Sequence, residues 1–165
     1  MREIILLVHD IRSCHNVGSL MRTAEGLGVQ KLYFSGYTPY PSVDQDSRLP
    51  HIHQKLTRQI HKTSLGAEAH IPWEHHEDIT VLISQLKKEG YLIAALEQTK
   101  ESVKLPDFKP PEKLALLVGR EVEGVEPELL AQTSVSLEIP MNGTKESFNV
   151  ANAAAIALYQ LLFAP

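Results

Sequence analysis

Three polar clusters stand where an apolar run gives way to a helix-like run, and each carries residue types suited to chemistry. The first is Asn16-Val17-Gly18-Ser19-Leu20-Met21-Arg22-Thr23-Ala24. On a helix, Arg22 lies one turn after Gly18 and Ser19 and one turn before Gly26. It would project from a face of small residues that leaves room for a substrate or a partner chain. A guanidinium there can clamp a phosphate with paired donors, although an ordinary surface arginine suits the same spacing. In the second cluster the apolar run 114–118 leads straight into Gly119-Arg120-Glu121-Val122-Glu123-Gly124. Glycine at a strand end lets a ligand approach the backbone closely. The third is Ile139-Pro140-Met141-Asn142-Gly143-Thr144-Lys145-Glu146-Ser147-Phe148-Asn149-Val150. Ser147 and Asn149 put a hydroxyl and an amide at a helix start, where small polar ligands are readily held; helix capping alone also explains Ser147.

Charge adds a fourth feature. The chain has a formal net charge of −4, yet no acidic residue falls between Asp46 and Glu68, where Arg48, Lys55, Arg58 and Lys62 lie with His51, His53 and His61. On a helix, Lys55, Arg58 and Lys62 share one face while Leu56 and Ile60 point the other way. Any surface for a polyanion must therefore be local, and this stretch is suited to tracking phosphates; it equally suits a solvated helix face.

The elements that must position these residues alternate. Strand-like runs fall at 3–8, 31–34, 69–72, 91–96, 114–118 and 135–139. Helical spacing falls at 16–27, with Asn16 as N-cap and Gly28 as terminator, and at 53–62, 79–89 and 147–163. A long loop covers 36–50, and a proline-rich turn 106–111. This order predicts an α/β fold, a mainly parallel sheet with helices on both faces, in one domain over residues 1–165. Sites in such folds gather where strands end and helices begin. No apolar run approaches the roughly 18 residues of a membrane span. The single cysteine, Cys14, cannot form an internal disulfide and suits a reducing cytoplasm. The histidines lack zinc spacing and a cysteine pair, so no metal is expected. A nicotinamide-type dinucleotide site is disfavoured, because the first strand leads into His9-Asp10-Ile11-Arg12 rather than a glycine-rich turn.

Together, the order and spacing of the clusters resemble the SpoU (TrmH-like) family of SPOUT RNA methyltransferases. That family's pattern is Asn-x-Gly-x-x-x-Arg-Thr-Ala, then an apolar strand ending Gly-x-Glu-x-x-Gly, then Ile-Pro-Met-x-Gly-x-x-x-Ser-Leu-Asn-Val-Ser. The resemblance spans essentially the whole chain and includes Lys62-Thr63-Ser64-Leu65-Gly66-Ala67-Glu68, similar to a segment of the family's smaller members. It implies a C-terminal trefoil knot within about 114–165, a homodimer, and transfer of a methyl group from S-adenosyl-L-methionine to a ribose 2′-hydroxyl of structured RNA, tRNA more readily than rRNA. By the same resemblance Gly119, Ile139 and Phe148, with Val118 and Met141, would hold the methyl donor. Arg22 would act in catalysis, with Asn16, Glu121, Ser147 and Asn149 orienting it, the ribose or the phosphate. Arg48, Lys55, Arg58 and Lys62 would contact RNA, with no appended RNA-binding domain. The chain departs from the pattern at Phe148, where leucine is usual, and at Ala151, where serine is usual. A catalytically inactive, SPOUT-like RNA-binding protein is the other reading.

Overall fold

A computed structural model describes residues 2–164. In chain order the elements are β1 (Glu3–His9), α1 (Cys14–Leu27), β2 (Lys31–Ser35), α2 (Pro50–Ser64), β3 (Trp73–His76), α3 (Ile79–Lys88), β4 (Leu92–Leu96), β5 (Val103–Lys104), β6 (Lys113–Val118), α4 (Pro127–Leu130), β7 (Val135–Glu138) and α5 (Val150–Phe163). The strands form one sheet in the order β3-β2-β1-β6-β4-β7-β5, and every described pairing is parallel. All seven strand ends that lead into loops toward the site therefore share one edge.

Helices cover both faces, as the alternation predicts. Along β1, Ile4, Leu6 and Val8 belong to a core with α1 and α5, whereas Ile5 and Leu7 belong to a second core with α3 and Leu129 of α4. Successive strand side chains point to opposite faces, and β1 is buried on both, so its sequence reads as a continuous apolar run rather than an alternating one. No helix among the described residues is long and apolar enough to cross a membrane.

Several boundaries move, each for a local reason. α1 starts at Cys14, and its N-cap is Ser13, whose Oγ accepts the Asn16 N–H at 3.2 Å. Asn16 is therefore inside the helix, and its side chain is released for other work. Gly28 ends α1 in the left-handed conformation at φ 75°, as expected. α2 is longer than 53–62: Pro50 opens it, where proline's missing N–H is harmless, and Leu65 closes it. Residues 69–72 are not a strand; a 3₁₀ turn at Ala67–Ala69 comes first and β3 follows at Trp73. At α5 the N-cap is Asn149, whose Oδ1 accepts from Ala151 N at 3.0 Å, so Ser147 caps nothing. β5 and α4 have two and four residues, too few for periodicity to reveal.

The small-residue face of α1 also has a different use from the one expected. Gly18 is buried against α2, where a methyl group would come within 2.9 Å of Ser64 N and closer still to Thr63 Oγ1 and the Ile60 carbonyl. The Thr63 hydroxyl donates to the His15 carbonyl at 2.8 Å across the same seam. The room beside Gly18 is filled by this chain's own helix. Ala151, Ala154 and Ala157 of α5 are also buried in the core and serve internal packing.

Candidate active site

At the shared edge, the loops after β4, β6 and β7 border an open cleft. Val118, Gly119, Ile139, Met141 and Phe148 all line it, and so does Ser147. The loop after β6 turns back on itself through Arg120 N–H to Gly124 O at 3.2 Å and Gly124 N–H to Arg120 O at 3.1 Å. Gly124 sits at φ 71°, and a methyl on Gly119 would lie 2.8 Å from Gly124 O. Two glycines are thus needed for the loop to close, one for its dihedral and one for contact.

The sequence reading missed Glu97. It follows β4 and lines the cleft. Its carboxylate accepts Val125 N–H at 2.9 Å and Gln98 N–H at 3.2 Å, tying the β6 loop to the end of β4. The available signal was its place directly after a strand at the edge where sites gather.

Glu121 is the hub that joins the N-terminal cluster to the cleft. Its carboxylate accepts Ser13 N–H at 3.0 Å, Arg12 N–H at 3.2 Å and Asn16 Nδ2 at 3.2 Å. Asn16 Oδ1 in turn accepts Asn149 Nδ2 at 3.1 Å. Asn16 is thereby joined in one chain of hydrogen bonds to two residues more than a hundred positions further along the sequence. Burial pushes the Glu121 carboxyl up, but the Ser13 and Arg12 amides and Asn16 outweigh it, and the group lies below the ordinary carboxylate range. Glu121 is therefore an anion at neutral pH, and its acceptor geometry fixes the Asn16 amide with its oxygen toward Asn149.

Arg22 does not join this group. It is exposed on α1 and does not line the cleft. Six residues separate it from Asn16, about 9 Å along the axis and roughly 120° around it. Within a single chain its side chain leaves the site.

The basic face forms as its spacing predicts: Lys55, Arg58 and Lys62 are exposed on α2 while Ile60 is fully buried. Arg48 is a correction to that group. Its guanidinium bonds Asp46 at 2.5 and 2.8 Å and the carbonyls of Tyr40 and Pro41 at 3.0 and 2.9 Å, and stacks 3.7 Å from the Tyr40 ring. Hydrogen bonding to Arg48 holds Asp46 far below the usual carboxylate range. Arg48 thus locks the 36–50 loop, and its donors are spent internally.

Among the described residues one set could offer ligand atoms to a cation: His9, Asp10 and Glu126. Arg120 already bridges both carboxylates, at 3.4 Å to Asp10 and 2.6 Å to Glu126. A guanidinium there supplies the positive charge that a metal would otherwise bring.

Residues 3–159 match the SpoU rRNA Methylase family. A tRNA (guanosine(18)-2′-O)-methyltransferase of Aquifex aeolicus is 26% identical over 162 residues, covering 96% of this chain and 68% of that protein. A 23S rRNA (guanosine(2553)-2′-O)-methyltransferase of Bacillus subtilis is 30% identical over 159 residues, covering 95% of this chain and 57% of that one. The fold matches the crystal structure of an AdoMet-bound rRNA methyltransferase from Sinorhizobium meliloti with a TM-score of 0.82 at 22% identity, over 96% of this chain and 55% of that chain. The chain thus spans between about half and two thirds of the length of these relatives.

Proposed function

The chain belongs to the SpoU rRNA Methylase family, and from that premise we propose that it transfers a methyl group from S-adenosylmethionine to a ribose 2′-hydroxyl of structured RNA. The observation that carries this is the Glu121 hub: it couples the Asn16 cluster of α1 to the edge of a cleft lined by the residues expected to hold the methyl donor. The cleft fits that molecule. Val118, Ile139, Met141 and Phe148 offer apolar wall for an adenosine, and the Gly119–Gly124 turn presents backbone close to the space. When bound, S-adenosylmethionine supplies an electrophilic methyl on a sulfonium.

The remaining work falls to the chain. Alignment of the ribose oxygen with the methyl is worth much of the barrier, and the Asn16–Asn149 amides, held by the Glu121 anion, are placed to orient it. Ser147, two residues before Asn149, lines the cleft wall. Arginine side chains in proteins are cations, and the role assigned to Arg22 is electrostatic: it holds a neighbouring phosphate and stabilises the developing alkoxide. Because its side chain leaves its own cleft, Arg22 acts in the cleft of a second copy. The exposed apolar residues Ile156, Tyr159 and Phe163 of α5 give such a homodimer a surface to bury, and the family's trefoil knot is expected within the C-terminal segment that begins at about residue 114. tRNA is preferred as substrate in line with the name of the Aquifex relative, while that of the Bacillus relative keeps rRNA in the test. The compartment is the cytoplasm, where the lone Cys14 stays reduced.

The test is transfer of labelled methyl to purified tRNA and to rRNA, read by mapping 2′-O-methylated positions. Arg22→Ala is expected to abolish transfer while calorimetric binding of S-adenosylmethionine survives. Equal turnover by the variant would remove Arg22 from the mechanism, and no transfer by the wild type to either RNA would favour an inactive RNA-binding protein.

A further inference from the structure

Four large aromatic side chains are exposed among the described residues. Phe148 lines the cleft, and Tyr159 and Phe163 pack together on α5 at 5.2 Å. Tyr37 is left without a role, with half of its surface open to solvent.

Tyr37 does not sit on a loose loop. Its N–H donates to Asp10 Oδ1 at 3.1 Å, and Asp10 is buried and held at φ 53°. Such a conformation is uncommon for a residue with a side chain and persists only where its surroundings enforce it. The next residue, Thr38, is buried; its hydroxyl accepts Ile11 N–H at 3.1 Å and donates toward the Ser35 carbonyl at 2.8 Å. An exposed ring is thus presented by a backbone anchored on both sides.

The ring also has a defined neighbour. The Arg12 guanidinium lies 5.9 Å from its centroid, and the Arg12 backbone N–H is one of the donors that hold Glu121. Tyr37 and Arg12 therefore border the hub of the candidate active site.

We propose that Tyr37 and Arg12 form a stacking platform for a nucleobase of the RNA segment whose ribose enters the site. This deepens, and rests on, the RNA methyltransferase reading. A ribose 2′-hydroxyl can reach a cleft only if its nucleotide is splayed from its neighbours, and unstacked bases are received on aromatic rings and guanidinium planes. The ring replaces the lost stacking, and the cation adds attraction for both base and phosphate. Such a platform reads the presence of a base rather than its identity, because every base offers a π-face. Choice of sequence must then come from elsewhere, including the basic face of α2.

The test uses the full chain with short single-stranded oligoribonucleotides carrying 2-aminopurine at successive positions, and labelled methyl transfer to bulk tRNA. The wild type is expected to quench the probe at one or two positions. Tyr37→Ala should lose that quenching and raise the KM for tRNA about tenfold, with calorimetric binding of S-adenosylmethionine unchanged; Tyr37→Phe should retain both. Arg12→Ala should weaken quenching less, since its backbone still holds Glu121. The proposal is overturned if the wild type quenches at no position, if Tyr37→Ala behaves as wild type, or if Tyr37→Phe loses as much as Tyr37→Ala. Loss of S-adenosylmethionine binding in Tyr37→Ala would also overturn it, because the residue would then act through loop structure. If the wild type quenches the probe in this pattern yet methylates neither tRNA nor rRNA, the platform stands and the enzymatic reading fails.

Discussion

Gly18 and Gly26 lie in the same helix, and replacing each by alanine should move stability in opposite directions. Alanine favours a helix interior over glycine by about 0.8–1.0 kcal/mol, so propensity alone predicts stabilisation at both. At Gly26 a methyl group meets nothing within 4 Å. Being close to the end of α1, Gly26→Ala should gain roughly 0.5 kcal/mol. At Gly18 the new methyl would sit 2.9 Å from Ser64 N and closer to the Ile60 carbonyl and the Thr63 hydroxyl, whereas relaxed contacts lie at about 3.5 Å or more. Thr63 can rotate away, but the backbone of α2 can yield only if the helices separate. Overpacking of this kind costs about 1–3 kcal/mol, sometimes more, and contact with a carbonyl belongs at the upper end. The clash wins, for a net loss of roughly 1–2 kcal/mol. For a domain of this size that lowers the melting temperature by about 2–8 °C, against a rise of about 1–2 °C for Gly26→Ala. Equilibrium urea denaturation followed by near-UV circular dichroism measures both, with an unchanged slope showing that the unfolded reference is the same. Gly18→Ala at or above wild-type stability would refute the direct docking of α1 on the backbone of α2.

Gly124→Ala should abolish or severely weaken binding of S-adenosylmethionine in calorimetry, because its φ of 71° disfavours a side chain and the new methyl would collide with the Glu97 carboxylate. Near-wild-type affinity would show that the loop tolerates a different closure. Glu121→Gln should reduce transfer at neutral pH by tenfold or more while the fold persists. Since the folded carboxyl titrates below its ordinary range, its stabilisation is present above the unfolded pKa and lost as pH falls through the folded one. The stability gap between wild type and Glu121→Gln should accordingly close as acidification passes below the ordinary carboxylate range, and a pH-independent gap would sink that account. Replacing Lys55, Arg58 and Lys62 together by glutamine should weaken RNA binding and flatten its dependence on salt by about two units in the log–log slope; the same change at Arg48 should instead lower stability by unlocking the 36–50 loop. An unchanged salt slope for the triple variant would remove α2 from the RNA surface.

The sequence by itself determined the layer architecture and singled out candidate residues for the site. Apolar runs at β1, β2, β4 and β6 alternate with 3.6-residue spacing at α1, α3 and α5, and local periodicity is legible because the pattern within each element is set by which of its faces is buried. The motif residues around Asn16, Glu121 and Asn149 stand where elements begin or end, and their order and spacing, which resemble the SpoU family pattern, singled them out. Elements as short as β5 and α4 carry too few residues for a period. Capping was misassigned at Asn16 and Ser147 because neighbouring polar residues compete for the same N–H groups, and only backbone geometry picks the winner.

Pairing across the chain was beyond local reading. That Glu121 accepts from Arg12, Ser13 and Asn16, that Glu97 ties the β6 loop, that Arg48 turns inward on Asp46 and Tyr40, and that Gly18 receives α2 all depend on which strand ends the sheet order places side by side. Such contacts are decided by hydrogen-bond satisfaction and packing between segments tens of residues apart, and composition and spacing carry no record of them. The sequence singled out the residues of this candidate site; tertiary structure alone decided which of them meet, and which, like Arg22, lie outside the cleft.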